Sequence, residues 1–218
     1  AGAEPTLLCW GALVLLVSGF AIKSGVAPFH SWLPDAYQSA DTAVSIMLSG
    51  IVTKIAGVYS LLTLTRLFPG NAALKVTLIV LGLFTIVVGA LLALSQKNFK
   101  RVAAYSSVSQ MGYILLGLAA DTRLGLIAAL IYLFTHSMAK SALFTNAAAL
   151  EQRLGTLDID EMGGLQGRMP VTAFSSVSAL LSLAGVPPFA GFWSKLLLLI
   201  ALWSAGLRGV AAAALLLS

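Results

Sequence analysis

The stretch LVLLVSGFAIKSGVAPFHSWLPDA, residues 13–36, decides the fold. It opens as an apolar run, places Lys23 at its end, breaks at Gly25 and Pro28, and continues through His30, Trp32 and Asp35. A cation at the centre of a bilayer costs roughly 2.5–3.5 kcal/mol on insertion scales. A chain that spends so many residues on a lipid-like run and then adds a lysine must offset that cost or use the charge.

The rest of the chain agrees with the membrane reading. Of its 218 residues 59% are hydrophobic and 10% charged, whereas soluble domains sit near 45–50% and about 25%. Runs of about 20 apolar residues point to helices. The alternating segments of about 10 residues expected of a membrane β-barrel are missing. The expectation is an all-α, polytopic transmembrane helical bundle, an integral multi-pass protein of a bacterial or archaeal cell membrane. The net charge of +5 reads as loop cations facing acidic lipids and cytoplasm, with no nucleic acid as partner. A single cysteine, Cys9, reads as packing; it makes no internal disulfide and no iron–sulfur site. The run Leu7–Ile22 lacks a basic leader and follows Glu4, so it is not read as a signal peptide. The closing AAAALLLS stops inside an apolar stretch, and the chain is expected to be a fragment at both ends.

Seven apolar segments can be counted: Thr6–Ile22, interrupted at Ser24–Pro28; Thr42–Leu67, closed by FPGN; Leu74–Leu94; Val102–Ala120, preceded by QKNFKR; Leu124–Leu150; Val171–Trp203, interrupted by GVPPFAG; and one starting near Leu207. The one long hydrophilic loop is EQRLGTLDIDEMGGLQGRMP. Gly25-Val26-Ala27-Pro28-Phe29 is echoed by Gly185-Val186-Pro187-Pro188-Phe189, each with a lysine close by. Matching interruptions in two halves point to an ion path in transporters built from repeats. Loop cations do not set the orientation: Lys97, Lys100, Arg101, Arg153 and Arg168 face Arg66, Lys75, Arg123 and Arg208.

All eight acids fall in loops or near segment ends, but Lys23, Lys54, Lys140, Lys195 and His136 fall inside the apolar segments. His136 and Lys140 are four apart and share a helical face. A plainer reading stands beside each lysine, a long stem carrying its ammonium to the interface; for His136 it is a packed, satisfied ring. The functional reading is a relay. An amine kept from water gives up its proton more readily than one in solution, and a row of them joined by histidine, water and hydroxyls conducts protons. Ser24, Ser49, Thr53, Thr135 and Ser194 are candidate hydroxyls, and His30 either passes a proton towards the loop or packs beside Trp32. The breaks at Gly25, Pro28, Gly185, Pro187 and Pro188 free backbone groups at membrane depth, which is tolerated only where protein or water satisfies them.

The stretches KSGVAPFHSWLPDAY, VSIMLSGIVTKIAGVY, NFKRVAAYSSVSQMGYILLGL, THSMAKSALF and GVPPFAGFWSK, in this order, resemble the antiporter-like membrane subunits of respiratory complex I, of multisubunit cation/proton (Mrp-type) antiporters and of membrane-bound hydrogenases. The resemblance implies an inverted-repeat fold with two broken helices. Residues 1–67 would end the first repeat and 72–218 would form most of the second, in a single transmembrane domain. It implies that Lys23 is the lysine of the first broken helix, paired with a glutamate on an earlier helix, and that Lys54 is the connecting lysine. His136 and Lys140 would be the pair before the second break, and Lys195 the lysine of the second broken helix. SADTAVS stands where relatives carry a proline-rich turn, and Asn98 where an aspartate is common.

The implied function is proton translocation in a complex I-like NADH:quinone oxidoreductase or related redox pump, with other membrane subunits as partners and no cofactor in this chain. The alternatives are a subunit of a Na+(K+)/H+ antiporter, in which protons and Na+ exchange, and a non-conducting scaffold of a membrane arm. No glycine-rich nucleotide loop, cysteine cluster or haem ligand pair is present, so any electron transfer is expected in other subunits.

Overall fold

A computed structural model of the chain describes residues 7–218. Glu4 and the side chain of Cys9 lie outside the described residues. The elements are helices: α1 (Leu7–Ser24), α2 (Trp32–Ser39), α3 (Thr42–Met47), a π turn (Leu48–Val52), α4 (Thr53–Leu67), α5 (Ala72–Leu94), α6 (Phe99–Ala119), α7 (Arg123–Leu154), a 3₁₀ turn (Ile159–Glu161), α8 (Leu165–Arg168), α9 (Pro170–Ala184), α10 (Ala190–Ser204) and α11 (Arg208–Leu216). Among the described residues there is no strand, only one isolated bridge between Asn98 and Asp158. Four helical stretches are long and apolar enough to cross a membrane: Thr42–Leu67, Ala72–Leu94, Phe99–Ala119 and Arg123–Leu154.

The two interruptions fold alike. At the end of α1, Gly25 takes φ +69°, and its N–H bonds Ile22 O while the Val26 N–H bonds Ala21 O. At the end of α9, Gly185 takes φ +80°, and the same pair of bonds runs from Gly185 to Ser182 and from Val186 to Leu181. A left-handed residue that closes a helix with these two bonds favours glycine, which has no Cβ to clash. The following turn also repeats, with Phe29 N–H on Val26 O and Phe189 N–H on Val186 O. The five-residue echo is therefore a shared backbone conformation. The two lysines are not equivalent within it: Lys23 sits on the last turn before its break, Lys195 on the second turn after its own.

Helix α6 is the centre of the bundle, buried over nearly its whole length from Lys100 to Ala119. It packs tightly along α5. A Cβ on Gly89 would come within 2.7 Å of Ser109 Cα, and one on Gly82 within 3.0 Å of Gly112 O. Small residues that let backbones touch are how membrane helices associate when lipid offers no hydrophobic contrast. The main apolar core joins Val17 of α1, Leu61 of α4, Ile86 of α5, Ile114 of α6, Ala128 of α7 and Leu198 of α10. Large apolar side chains such as Leu15, Tyr59, Leu91, Phe134 and Phe174 point outward, as a bundle surrounded by lipid requires.

The hydrophilic stretch after Leu150 is not a free loop. Helix α7 runs on to Leu154 and ends at Gly155, φ +72°. The chain then returns to the start of α6, where Phe99 N–H bonds Leu157 O and Ile159 N–H bonds Lys97 O. Leu157 joins Ala147, Leu150 and Phe99 in a small apolar cluster beneath it. Asn98 caps α6, its side-chain oxygen accepting from the N–H groups of Lys100 and Arg101. The asparagine thus does the capping work for which an aspartate also serves. Lys100, read in the sequence as a loop cation, lies inside α6 with its side chain 6% exposed. Its ammonium is held 2.7 Å from Glu151 Oε2. Lys97 pairs with Asp160 at 2.6 Å and Arg101 with Asp35 at 3.2 Å on the same edge of the bundle.

Candidate functional site

Three of the four lysines placed inside apolar segments are buried, and His136 with them. Lys54 is 1% exposed, Lys140 0%, His136 3% and Lys195 7%. None of these reaches an interface, so the stem-to-surface reading fails for all three lysines. Lys23 differs: it lies on the outer side of α1, exposed, with no hydrogen bond or ion pair among the described residues. His30, at the first break, packs edge-on against Tyr105, ring centres 6.2 Å apart, and its buried Nδ1 has no partner among the described residues.

Lys54 owes its position to the π turn. The widened turn leaves Leu48 O to take the Thr53 N–H, the Thr53 hydroxyl at 2.8 Å and the Tyr37 hydroxyl at 3.4 Å. Tyr37 and Thr53 also share a hydrogen bond at 2.9 Å, which ties α2 to the turn. Inside the turn, Gly50 lies against Ser141 and Ser137 of α7. One turn further on, Lys54 enters the bundle on the side where the π turn meets α7, the helix that carries the buried His136 and Lys140.

The two amines in this group are held differently. Lys140 donates to Ala103 O and to Ser106 Oγ of α6, both at 2.6 Å. Lys54 Nζ and both ring nitrogens of His136 have no hydrogen-bond partner among the described residues. A buried polar atom without a partner costs about 1–3 kcal/mol, and more when charged. Such atoms are rare in folded proteins and tend to mark water sites or functional groups.

A small cavity continues the row towards α10. It is lined by Gln110, Tyr132, Thr135, His136, Gly191 and Ser194, among others, and leaves about 10 Å³ for the centre of a water molecule. That is near the smallest space that holds one water. On its far wall, Thr135 donates to Ser194 Oγ at 3.1 Å and Ser194 passes its own hydrogen to Gly191 O at 2.9 Å. Tyr132 bonds Gln110 and stacks on Tyr113, ring centres 5.8 Å apart.

Tyr113 in turn lies under Lys195, whose ammonium is 5.1 Å from the ring centre. Lys195 donates to Ser218 Oγ at 2.8 Å and to Ala184 O at 3.1 Å. Ala184 is the last residue of α9, so Lys195 takes a carbonyl that the break releases.

Of the hydroxyls singled out in the sequence, Thr135 and Ser194 lie in this row, and Thr53 supports the π turn. Ser24 and Ser49 bond carbonyls of their own helices, Phe20 O and Ile46 O. Gln110, Tyr113, Tyr132 and Ser106 escaped the sequence reading. The spacing of Tyr132 and His136, four apart on α7, was a signal that could have found Tyr132. Among the described residues no group of three His, Cys, Asp or Glu side chains could hold a metal ion.

Buried lysines on helices next to two glycine-closed breaks are the features of this site, and the whole chain can be compared with known proteins. The family model described as NADH:quinone oxidoreductase/Mrp antiporter, TM, matches residues 4–218.

The chain belongs to this family.

NADH-quinone oxidoreductase subunit M of Rickettsia prowazekii is 36% identical over 197 residues, covering 90% of this chain and 40% of that protein. A Na(+)/H(+) antiporter subunit of Alkalihalophilus pseudofirmus is 38% identical over 192 residues, 87% of this chain and 38% of that protein. A chain of the Mrp complex from Dietzia sp. superposes with a TM-score of 0.91 at 36% identity, covering 97% of this chain and 40% of that one. The family relationship is thus shared by redox complexes and antiporters. The chain spans about two fifths of the length of these relatives.

Proposed function

We propose that this chain is the proton-conducting portion of an antiporter-like membrane subunit that works, with other membrane subunits, in a complex I-like redox pump. The observation that carries the reading is the buried row itself. Lys54 and His136 are buried with unpartnered nitrogens, Lys140 is buried one turn from His136 on α7, and a water-sized cavity leads from His136 to Ser194, the neighbour of Lys195. A proton arriving at Lys54 has His136 and Lys140 as its next acceptors. From His136 it crosses the cavity, through Thr135 and Ser194 or along Gln110 and Tyr132, to Lys195. A scaffold has no use for an unpartnered amine and imidazole in its core.

The matching backbone of the two breaks supports reading residues 1–67 and 72–218 as parts of two repeats. Lys23 is assigned the loading site, facing a partner acid on another helix. Its outward position suits a side chain whose partner comes from beyond α1–α11.

The antiporter reading rests on the likeness to the Na(+)/H(+) antiporter of Alkalihalophilus pseudofirmus and to the Mrp complex. The test is proton uptake by vesicles that hold the full-length subunit in its native complex. With quinone reduction as the driving force, uptake that falls in a Lys140→Ala variant supports the redox-pump reading. Uptake that needs no electron donor and follows an imposed Na+ gradient supports the antiporter. Unchanged uptake in the variant overturns the relay.

A further inference from the structure

At the end of the bundle opposite the three ion pairs, α4 and α7 part company. Further into the bundle the two segments are held together through the π turn before α4, where Gly50 meets Ser141. Further along, α4 closes at Leu67 and α7 starts at Arg123, and between these ends lies a cavity of about 310 Å³. Its apolar lining is Leu118, Leu126 and Pro69, and its rim carries Arg66 and Arg123. Both arginines are exposed, and neither makes an ion pair or hydrogen bond among the described residues.

One carboxylate faces the same space. Asp121 Oδ2 accepts the Gly70 N–H at 3.0 Å and so links the α4–α5 and α6–α7 turns. Lys75 adds a third cation in the adjoining pocket, which also shares Thr65, Leu118 and Asp121. The local balance is three cations to one anion.

We propose that this cavity binds the phosphate headgroup of an anionic phospholipid. Its depth in the membrane fits. The four membrane-length stretches all end or begin here, at Leu67, Ala72, Ala119 and Arg123, which is where headgroups lie. The guanidinium forks suit a phosphate diester, which they can grip through two parallel hydrogen bonds. Basic pockets between membrane helices hold such headgroups.

The surfaces below the rim fit the acyl chains. On α7, Arg123 is followed on one face by Ile127, Leu130 and Phe134, all exposed. On α4, Arg66 is preceded on its face by Tyr59 and Ile55, again exposed. A lipid anchored at the arginines would lay a chain along each stripe. A soluble anion would use the arginines and leave the apolar floor of Leu118, Leu126 and Pro69 unmatched.

The test titrates a spin-labelled phosphatidylglycerol into the detergent-solubilised full-length subunit. Each arginine near a membrane surface strengthens binding by about fivefold, so Arg66→Gln with Arg123→Gln should weaken it about 25-fold. Arg66→Lys with Arg123→Lys should retain most of it. Phosphatidylcholine should bind at least tenfold more weakly than phosphatidylglycerol and respond little to the substitutions. Equal binding of phosphatidylglycerol to wild type and the double glutamine variant overturns the proposal. So does displacement of the label by inorganic phosphate at millimolar concentration, which would make this a site for the free ion. A photoactivatable phosphatidylglycerol on the wild-type protein removes any dependence on variant folding. Cross-links within residues 65–69 and 118–127 support the site, and cross-links confined to other segments overturn it.

Discussion

Lys195 donates a hydrogen bond to the carbonyl oxygen of Ala184, 3.1 Å away, across the second helix break. The glycine that makes the break also makes room for the amine. Gly185 sits at φ +80°, and a Cβ there would meet Lys195 Cδ at 2.7 Å. The interruption of the helix and the burial of the charge are one construction, since unwinding releases the acceptor and the missing side chain leaves space for the donor.

Gly185→Ala is therefore expected to act twice. A left-handed alanine costs about 1–2 kcal/mol, and the added methyl group displaces Lys195 from Ala184 O. Gly155 separates the two effects. It has φ +72° with nothing within 4 Å of its would-be Cβ. Both alanine variants should lower the unfolding midpoint by similar amounts, whereas only Gly185→Ala should slow proton uptake in vesicles. Equal uptake in the two variants would refute the coupling of break and amine.

Lys54 should tolerate neither loss nor exchange of its side chain. Lys54→Ala removes the acceptor, and a positioned proton-transfer group is worth on the order of a hundredfold in rate. Lys54→Arg keeps the charge, but arginine does not deprotonate in proteins, and its larger fork must fit a site that is 1% exposed. Vesicle uptake should fall in both variants. Normal uptake in the arginine variant would mean that Lys54 serves as a fixed charge, with no proton exchanged.

The ion pairs at the opposite edge should differ in worth. Lys100 is buried at its pair with Glu151, so Glu151→Gln leaves its ammonium without a counter-charge and should cost about 1–3 kcal/mol. The pair of Lys97 and Asp160 is exposed on both sides, at 75% and 64%. Water already solvates both charges, and exposed pairs contribute little. Thermal unfolding in detergent should show a clear drop for Glu151→Gln and no measurable change for Asp160→Asn. A larger effect at Asp160 would show that the return loop is held by that pair.

The sequence made the breaks and the amines legible because both violate strong rules. Glycine and proline interrupt apolar runs at Gly25 and Gly185, and lysine is rare at membrane depth, so Lys54, Lys140 and Lys195 stood out without any knowledge of contacts. The outward position of Lys23 was hidden, because nothing local distinguishes a lysine on the outer face of a helix end from one facing inward. The docking of residues 155–162 on the start of α6 was hidden too, since it rests on pairing between Leu157, Ile159, Lys97 and Phe99, more than fifty residues apart. Tyr113 and Tyr132 carry no signal of their own in the sequence; only the fold stacks them on each other, with Lys195 over Tyr113. The π turn left no trace in composition: Leu48–Val52 reads as helix on either side and contains no proline.

That turn supplies the sharpest prediction. A π turn carries one residue more than an α-helical turn, so it sets how the face of α3 is rotated relative to the face of α4. In this chain it lets Gly50 touch Ser141 while Lys54 points at His136 and Lys140. Ile51 is the residue to remove, because its side chain is 54% exposed and belongs to none of the buried core clusters. Deleting it should restore a continuous α-helix and turn α3 against α4 by about 100°, one residue's share of a 3.6-residue turn. Either Tyr37 and Thr53 lose their bond at Leu48 O, or Lys54 swings out of the row. The deletion variant should fold, with helix content by circular dichroism unchanged, yet conduct protons at a small fraction of the normal rate. A one-residue insertion beside Pro69, in the turn after α4, should leave conduction intact. If the Ile51 deletion conducts normally, the π turn is a local irregularity with no part in aiming Lys54.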